Sequence, residues 1–315
     1  MSAYFGIGHW RFHSSENLIL MYHGVEPNQN KKFNYRHLGF HNFKNQLLFM
    51  KKNFDVVPLS QWTPERKANE KLKVALTFDD GFLNNKKYVV PLLNELELHA
   101  SIYVTRVNET RHPFLWPDFI EIAAVYYGKE IDIAGESYVV GLDKSYVNKI
   151  SGESLATALR KSKSYEFKEA VYDAFLAKGF VLETFSKDED NWKLMSDQEI
   201  VSVDQTPYVR IECHSFFHNN LGELTFENAK TELKQAKASL EKLLGRKVTE
   251  LAYPDGSYSR SLIDYAVELG FTRQLAADGY LFAEDEDDVR ILQRVGIYPV
   301  YSWYNQLVLA FNGKY

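Results

Sequence analysis

Short runs of apolar, β-branched and aromatic residues recur along the chain, and segments with helical spacing separate most of them. This alternation is typical of an α/β protein with a mainly parallel sheet, because a strand needs a crossover connection, usually a helix, to reach a parallel neighbour. One helix is clearly amphipathic, with Leu233, Ala236 and Leu240 on one face and Gly245 at its end. The predicted strands, in chain order, are residues 18–22, 74–78, 101–105, 208–213, 249–253, 271–275 and 291–297.

One region interrupts this alternation. Residues 119–200 separate two predicted strands that would otherwise be neighbours, and Phe167, Val171 and Phe175 repeat at helical spacing inside it. We therefore predict a single domain over residues 1–315 with a helical insertion at 119–200. Loops at the carboxyl ends of strands carry function in such folds, so the insertion is either a lid or a surface addition that only stabilises the fold.

Charge and cysteine content exclude several classes of protein. The 315 residues include 37 basic and 42 acidic ones, a formal charge of −5, whereas a nucleic-acid binder normally carries a basic excess. The single cysteine, Cys213, rules out an internal disulfide framework and a cysteine-only zinc site. No stretch has the roughly 18 apolar residues of a transmembrane helix, and the run at 18–22 is too short for a signal peptide, so we expect a cytoplasmic protein. The oligomeric state cannot be read from the sequence.

Two predicted strands end in groups that suit metal chemistry. Asp79 and Asp80 follow the strand at 74–78, and adjacent carboxylates disfavour joint ionisation unless a cation compensates them. An aspartate at a strand end is also a common turn or helix cap, so this pair alone leaves both interpretations open. His214 and His218 follow the strand at 208–213, and if this stretch is helical they share one face, where both rings can bind one ion. The alternative is that they are ordinary core or surface histidines.

A third strand end carries a tight turn. Tyr253, Pro254, Asp255 and Gly256 follow the strand at 249–253, and such a turn can direct backbone N–H groups at an anion. Turns of this type are common, so the motif is weak when taken alone.

Together, and in this order, residues 77–81, 214–218 and 253–256 resemble the first three motifs of the polysaccharide deacetylase family, also called carbohydrate esterase family 4 or the NodB homology domain. Residues 20–25 and 100–105 resemble further segments of that family. The resemblance implies a deformed (β/α) barrel with one divalent metal ion, usually zinc.

The resemblance also implies residue roles. Asp80, His214 and His218 would be the metal ligands, Asp79 the general base, and Asp255 the donor of a backbone N–H to the oxyanion. A metal-activated water would then attack the amide carbonyl. An Asp-His-His set also accepts cobalt, nickel, manganese or iron.

The sequence departs from the family in two places. Ala252 stands where the family has an arginine that orients the catalytic aspartate, and we predict that Arg294 replaces it from a neighbouring strand. No histidine follows His218 to act as general acid, so His23 is our candidate, because its strand end should face the same pocket. The alternative for His23 is a hydrogen-bonded structural residue.

Aromatic residues are candidates for sugar binding. We predict substrate contacts for Tyr253 and Trp116, although large aromatics are often core residues, and we favour the core for Trp303 and Tyr304.

The sequence thus predicts a metal-dependent hydrolase that removes N-acetyl or other N-acyl groups from an amino sugar in a glycan or glycan precursor. Without an export signal, a nucleotide-linked or lipid-linked precursor is the more natural substrate. Two alternatives stay open at this point. One is a carbohydrate-binding or scaffold protein with little turnover, and the other is hydrolysis of a non-sugar amide or an O-acyl ester at the same site.

Overall fold

The computed structural model describes residues 16–27, 33–66, 69–299 and 302–312. Its centre is a nine-stranded sheet in which all pairings are parallel. The strands of the chain are β1 Leu18–Tyr22, β2 Val25–Glu26, β3 Leu38–Gly39, β4 Asp55–Val56, β5 Lys73–Phe78, β6 Ala100–Val104, β7 Ile131–Ile133, β8 Glu136–Val140, β9 Tyr146–Asn148, β10 Val209–Cys213, β11 Glu250–Ala252, β12 Arg273–Leu275, β13 Ile291–Leu292 and β14 Val295–Gly296.

The central sheet has the order β13-β12-β11-β10-β6-β5-β1-β14, and β4 pairs with β5 beside this path. Its long strands are buried almost along their whole length, as expected where both faces of a parallel sheet are covered. Helices provide that cover. Those that pack on the core of the central sheet are α1 Phe40–Asn53, α2 Val90–Leu96, α6 Asp197–Asp204, α7 Phe226–Leu244, α8 Arg260–Glu268 and α9 Trp303–Phe311. The other helices, α3 Trp116–Tyr126, α4 Leu155–Arg160 and α5 Glu166–Ala177, pack in a separate core beside it.

The two ends of the sheet lie close together. Strands β13 and β14 are at opposite ends of the strand order, yet only residues 293 and 294 separate them in the chain. Consecutive Cα atoms are about 3.8 Å apart, so the sheet must curl until its edges are neighbours. The fold is therefore a deformed (β/α) barrel, as predicted. The expected single strand at 291–297 was wrong, because barrel closure divides it between the two edges.

The insertion contains more than helices. It lies between β6 and β10, which pair directly with each other, and it includes a three-stranded antiparallel sheet β7-β8-β9 that the sequence analysis did not predict. It has its own aromatic core, which includes Phe119, Tyr172 and Phe175. A second core of this size means that the insertion is a packed unit beside the barrel and not a long surface loop.

Within the described residues, no helix is both long and apolar enough to pass through a membrane.

Candidate metal and catalytic site

The predicted site residues meet at one end of the barrel. Neighbouring strands are parallel, so their carboxyl ends face the same side, and the residues that follow β1, β5, β10 and β11 come together there. A cavity of about 370 Å³ opens among them. Its lining includes His23, Arg36, Asp79, His214, His218, Asp255 and Arg294.

Asp80, His214 and His218 form a cluster that suits a metal ion. Each offers one ligand atom, and the three atoms lie within 4.8 Å of one another in a fully buried environment. Asp80 Oδ1 is 3.5 Å from His214 Nε2 and 3.2 Å from His218 Nε2. This oxygen has no hydrogen-bond partner among the described residues, which leaves it available to bind a cation.

The ring of His214 is oriented by a second contact. Its Nδ1 lies 2.8 Å from the backbone carbonyl oxygen of Ala252, which leaves Nε2 on the side of Asp80. Hydrogen bonding of the remote ring nitrogen to a carbonyl is common for histidines that bind metals, since it fixes the tautomer. The donor set of one carboxylate and two imidazoles therefore fits zinc and similar divalent ions.

Strained loops, not a helix, bring the ligands together. Residues 214–218 have no helical structure, so the expected helical face for the two histidines was wrong. Ser215 and His218 instead adopt positive φ angles of 63° and 53°. Asp80 has a φ of 77° and Gly81 of 79°, which turns the chain sharply after β5. Such conformations cost about 1–3 kcal/mol for non-glycine residues and cluster at functional sites.

Asp79 is held by Arg294. Two guanidinium nitrogens of Arg294 donate to the two carboxylate oxygens of Asp79, each at 2.7 Å. Both side chains are buried, with exposed fractions of 0% and 4%. Burial opposes ionisation of the carboxyl, but the guanidinium outweighs it and lowers the pKa of Asp79 below its ordinary value. Arg294 reaches this position because it lies in the seam between β13 and β14, and its Nε also donates to the Ala276 carbonyl at 2.8 Å.

Sequence reasoning missed Arg36. Its Nη1 donates to Asp80 Oδ2 at 3.1 Å and its Nη2 to Asp118 Oδ1 at 2.6 Å. Burial opposes ionisation of Asp80, but Arg36 and the two histidines lower the pKa of this carboxyl well below its ordinary value. Since Arg36 engages Oδ2, only Oδ1 of Asp80 faces the histidines. A single arginine in a loop carries no local signal, so no motif could have identified it.

His23 lies at the end of β1 and lines the cavity, as predicted. Burial, together with the positive charge of Arg36, lowers the pKa of His23 to about 4. The ring is therefore neutral at pH 7. Its Nδ1 has no hydrogen-bond partner within the described ranges, which argues against a purely structural hydrogen-bonding role.

The turn after β11 contributes Asp255. Its φ of 51° is left-handed, and its carboxylate accepts a hydrogen bond from Arg160 Nε of the insertion at 3.3 Å. Tyr253 lines the cavity, but its ring is fully buried, and its hydroxyl donates to Gln274 Oε1 at 2.5 Å. The hydroxyl of Tyr253 therefore donates its hydrogen bond to a partner inside the protein core.

The insertion touches the loop that carries His218. Trp116 Nε1 donates to the His218 carbonyl at 3.4 Å, and Lys168 Nζ donates to the same oxygen at 3.0 Å. Trp116 is only 2% exposed and belongs to the core of the insertion. Farther from the site, Trp303 and Tyr304 are half-buried and pack against Phe49, with ring centroids 6.1 and 5.7 Å away, and Trp303 also lies against the barrel core.

Comparisons with known proteins agree with this description. Residues 166–273, which include the motifs at 214–218 and 253–256 but not the one at 77–81, match the family model described as polysaccharide deacetylase, and this match confirms the resemblance of those two motifs. A comparison with curated protein sequences gave no significant match.

Solved structures share the fold. One is the deacetylase PplD of Streptococcus pyogenes in complex with acetate, with 17% identity and a TM-score of 0.56 over 94% of this chain and 99% of that one. A polysaccharide deacetylase of Bacillus cereus, BC0361, has 16% identity and a TM-score of 0.57 over 95% of this chain and 69% of that one. IcaB of Ammonifex degensii has 14% identity and a TM-score of 0.55 over 95% and 97%.

Proposed function

We propose that this chain is a metal-dependent hydrolase that removes N-acetyl, or another N-acyl group, from an amino sugar in a glycan or glycan precursor. The observation that carries the proposal is the convergence of Asp80, His214 and His218 beside the Asp79–Arg294 pair. The polysaccharide deacetylase match and the shared fold support a carbohydrate substrate. The cytoplasmic location expected from the sequence stays a prediction.

Asp80, His214 and His218 would hold the cation. A divalent ion held there supplies Lewis-acid polarisation of the carbonyl and lowers the pKa of water. Zinc is our first choice, and cobalt, nickel, manganese and iron are compatible with the same ligands.

Asp79 is the proposed general base. Because Arg294 keeps it ionised and grips both of its oxygens, the carboxylate can accept a proton from the attacking water without rotating away. Arg294 is thus a positioning residue that acts through Asp79. It supplies from the barrel seam the positive charge that Ala252 cannot, which weakens the case for a pure binding protein.

Two further roles are stabilisation of the oxyanion and protonation of the leaving nitrogen. The backbone N–H of Asp255 is the proposed donor to the oxyanion. His23 stays our candidate for the group that protonates the leaving nitrogen. Because its ring is neutral at pH 7, it would first receive the proton that Asp79 takes from the attacking water and would then pass that proton to the leaving nitrogen.

The proposal is tested on the purified full chain by metal analysis and by acetate release from N-acetylated oligosaccharides. We expect about one equivalent of bound zinc, and loss of both zinc and activity in His214→Ala. His41→Ala is the matched control, because His41 is exposed on α1. Bound metal with no release of acetate, or of any other acyl group, from N-acylated sugars would contradict the proposal. In that case sugar binding would favour the scaffold alternative, and activity on an ester panel would favour O-deacylation.

His23 has its own test. His23→Ala should reduce turnover much more than metal content. Equal turnover in the variant and the parent would dismiss the catalytic role.

A further inference from the structure

Two adjacent aspartates in the site are held by arginines in different ways. Both Nη atoms of Arg294 donate to Asp79, one to each carboxylate oxygen. Arg36 gives Asp80 only one such nitrogen, since its Nη1 donates to Oδ2 at 3.1 Å. Oδ1 of Asp80 has no hydrogen-bond partner among the described residues and faces the two histidines. The two pairs therefore differ in whether one carboxylate oxygen stays free.

The insertion accounts for this difference. Nη2 of Arg36 donates at 2.6 Å to Oδ1 of Asp118, which lies in the first turn of α3. Arginine and carboxylate groups commonly pair through two parallel hydrogen bonds, because the planar guanidinium matches the spacing of the two oxygens. Asp118 prevents that arrangement at Asp80, since it engages the nitrogen that would otherwise reach Oδ1.

We propose that Asp118 is a positioning residue of the metal site, which keeps Oδ1 of Asp80 available to the cation by holding the second nitrogen of Arg36 away from it. This inference rests on the metal site of the proposed function. It makes the insertion a part of that site, because without α3 the arginine would be free to pair with both oxygens of the ligand.

Hydrogen bonds fix Asp118 and Arg36 relative to each other. Asp118 is 2% exposed, and Nδ2 of Asn34 donates to its Oδ1 at 2.8 Å. Oδ1 of Asn34 accepts from Nε of Arg36 at 3.1 Å, so one asparagine contacts both partners. The backbone N–H of Asn34 donates to Oε2 of Glu121 on α3 at 2.9 Å. The loop that carries Arg36 is thus tied to α3 by several contacts, and the guanidinium has little freedom to turn towards Asp80.

The contact with Arg36 does not depend on the charge of Asp118. Burial raises the pKa of this carboxyl well above its ordinary value, although Arg36 opposes the shift. Oδ2 of Asp118 has no hydrogen-bond partner among the residues that the structure describes, so it can carry the proton while Oδ1 accepts from Arg36. We therefore expect an amide at position 118 to replace the carboxyl.

The test measures the zinc affinity of the purified full chain by competition with a chelator, so it does not depend on turnover. Asp118→Ala removes the acceptor and frees Nη2 of Arg36, which zinc then has to displace from Oδ1 of Asp80. We expect zinc affinity to fall by about 10–100-fold, the usual effect of losing a group that supports a metal ligand. Asp118→Asn should stay close to the parent value, because its side-chain oxygen still accepts from Arg36.

Asp173→Ala is the matched control. Asp173 is also an aspartate of the insertion with an arginine partner, Arg111 at 2.6 Å, but it lies on α5 and is 45% exposed. Its ion-pair partners among the described residues are Arg111 and His112, which do not belong to the metal cluster. Zinc affinity in this variant should equal that of the parent.

A second background separates the proposed role from a purely structural one. In Arg36→Met no guanidinium competes for Asp80, so adding Asp118→Ala should have no further effect on zinc affinity. An equal loss in both backgrounds overturns the proposal, and so does unchanged zinc affinity when Asp118→Ala is made in the parent. A loss in Asp118→Asn as large as that in Asp118→Ala overturns it too.

Thermal unfolding of the chelator-treated variants checks that they fold. If Asp118→Ala does not fold, Asp118→Leu replaces it, because leucine has the same branching at Cγ and offers no acceptor. Failure of the proposed function is seen separately. A parent protein that binds zinc but releases no acyl group contradicts the deacylase function alone, whereas a parent that binds no zinc overturns both proposals.

Discussion

The buried pair of Arg294 and Asp79 yields the most quantitative prediction. Replacing Arg294 with methionine leaves a carboxylate that is 4% exposed without its two guanidinium hydrogen bonds. Removal of one partner from a buried ion pair typically costs about 3–5 kcal/mol, because the remaining charge has neither water nor a counter-ion. We expect a loss of this size in the free energy of unfolding for Arg294→Met.

A double-mutant cycle isolates the pair. Arg294 also donates to the Ala276 carbonyl at 2.8 Å and contacts Thr77 Oγ1 at 3.3 Å, and these contacts are lost in the single variant as well. Their contribution cancels in the coupling energy of Arg294→Met with Asp79→Asn. We expect a coupling of about 2 kcal/mol or more, measured by urea denaturation of chelator-treated protein.

A surface pair serves as the control. Arg290 Nη1 and Asp264 Oδ1 are 2.6 Å apart, but the side chains are 44% and 63% exposed. Exposed pairs contribute at most about 1 kcal/mol, so the cycle of Arg290→Met with Asp264→Asn should give a much smaller coupling. Equal couplings for the buried and the exposed pair would refute the reasoning, since burial would then have no effect.

Three further predictions concern other parts of the site. Lys168→Met should weaken zinc binding by about tenfold in competitive chelator titrations, because Lys168 supports the carbonyl of His218; unchanged affinity would show that the contact has no influence on the ligand. The pKa of His23 is lowered from 6.5 to about 4 in the folded protein, so between these pH values the unfolded chain binds a proton that the folded protein does not. The free energy of unfolding is therefore full above pH 6.5 and decreases as the pH falls towards 4. At about 1.4 kcal/mol per pKa unit the loss is about 3 kcal/mol, and urea denaturation of His23→Gln should show a correspondingly weaker pH dependence than the parent. Gly256→Ala should lower the melting temperature more than Gly135→Ala. Both residues have positive φ, but a Cβ at 256 would lie 2.8 Å from the Ala277 Cβ, whereas no atom of the described residues lies within 4 Å of a Cβ at 135.

Local patterns were enough to locate the chemical groups. Short runs with apolar and β-branched residues, followed at once by polar residues, predicted where β5 and β10 end, and therefore that Asp80 and His214 lie at the same end of a parallel sheet. The helical face expected for residues 214–218 was wrong, since positive φ angles at Ser215 and His218 bring the rings together. The ligand residues come together because they follow strands of the same parallel sheet. Their proximity could therefore be predicted although the local conformation of residues 214–218 could not.

The sequence by itself determined six strands of the central sheet (β1, β5, β6, β10, β11 and β12), the polar residues at their ends and the position of the insertion, because each depends on hydrophobic periodicity over a few neighbouring residues. Tertiary structure alone decided that Arg36 contacts Asp80, that residues 291–297 divide between two edges of the barrel, and that Asp118 of the insertion contacts Arg36. These features join residues that are distant in the chain. Their contacts depend on how the sheet closes and how the insertion packs, and no local sequence pattern predicts either.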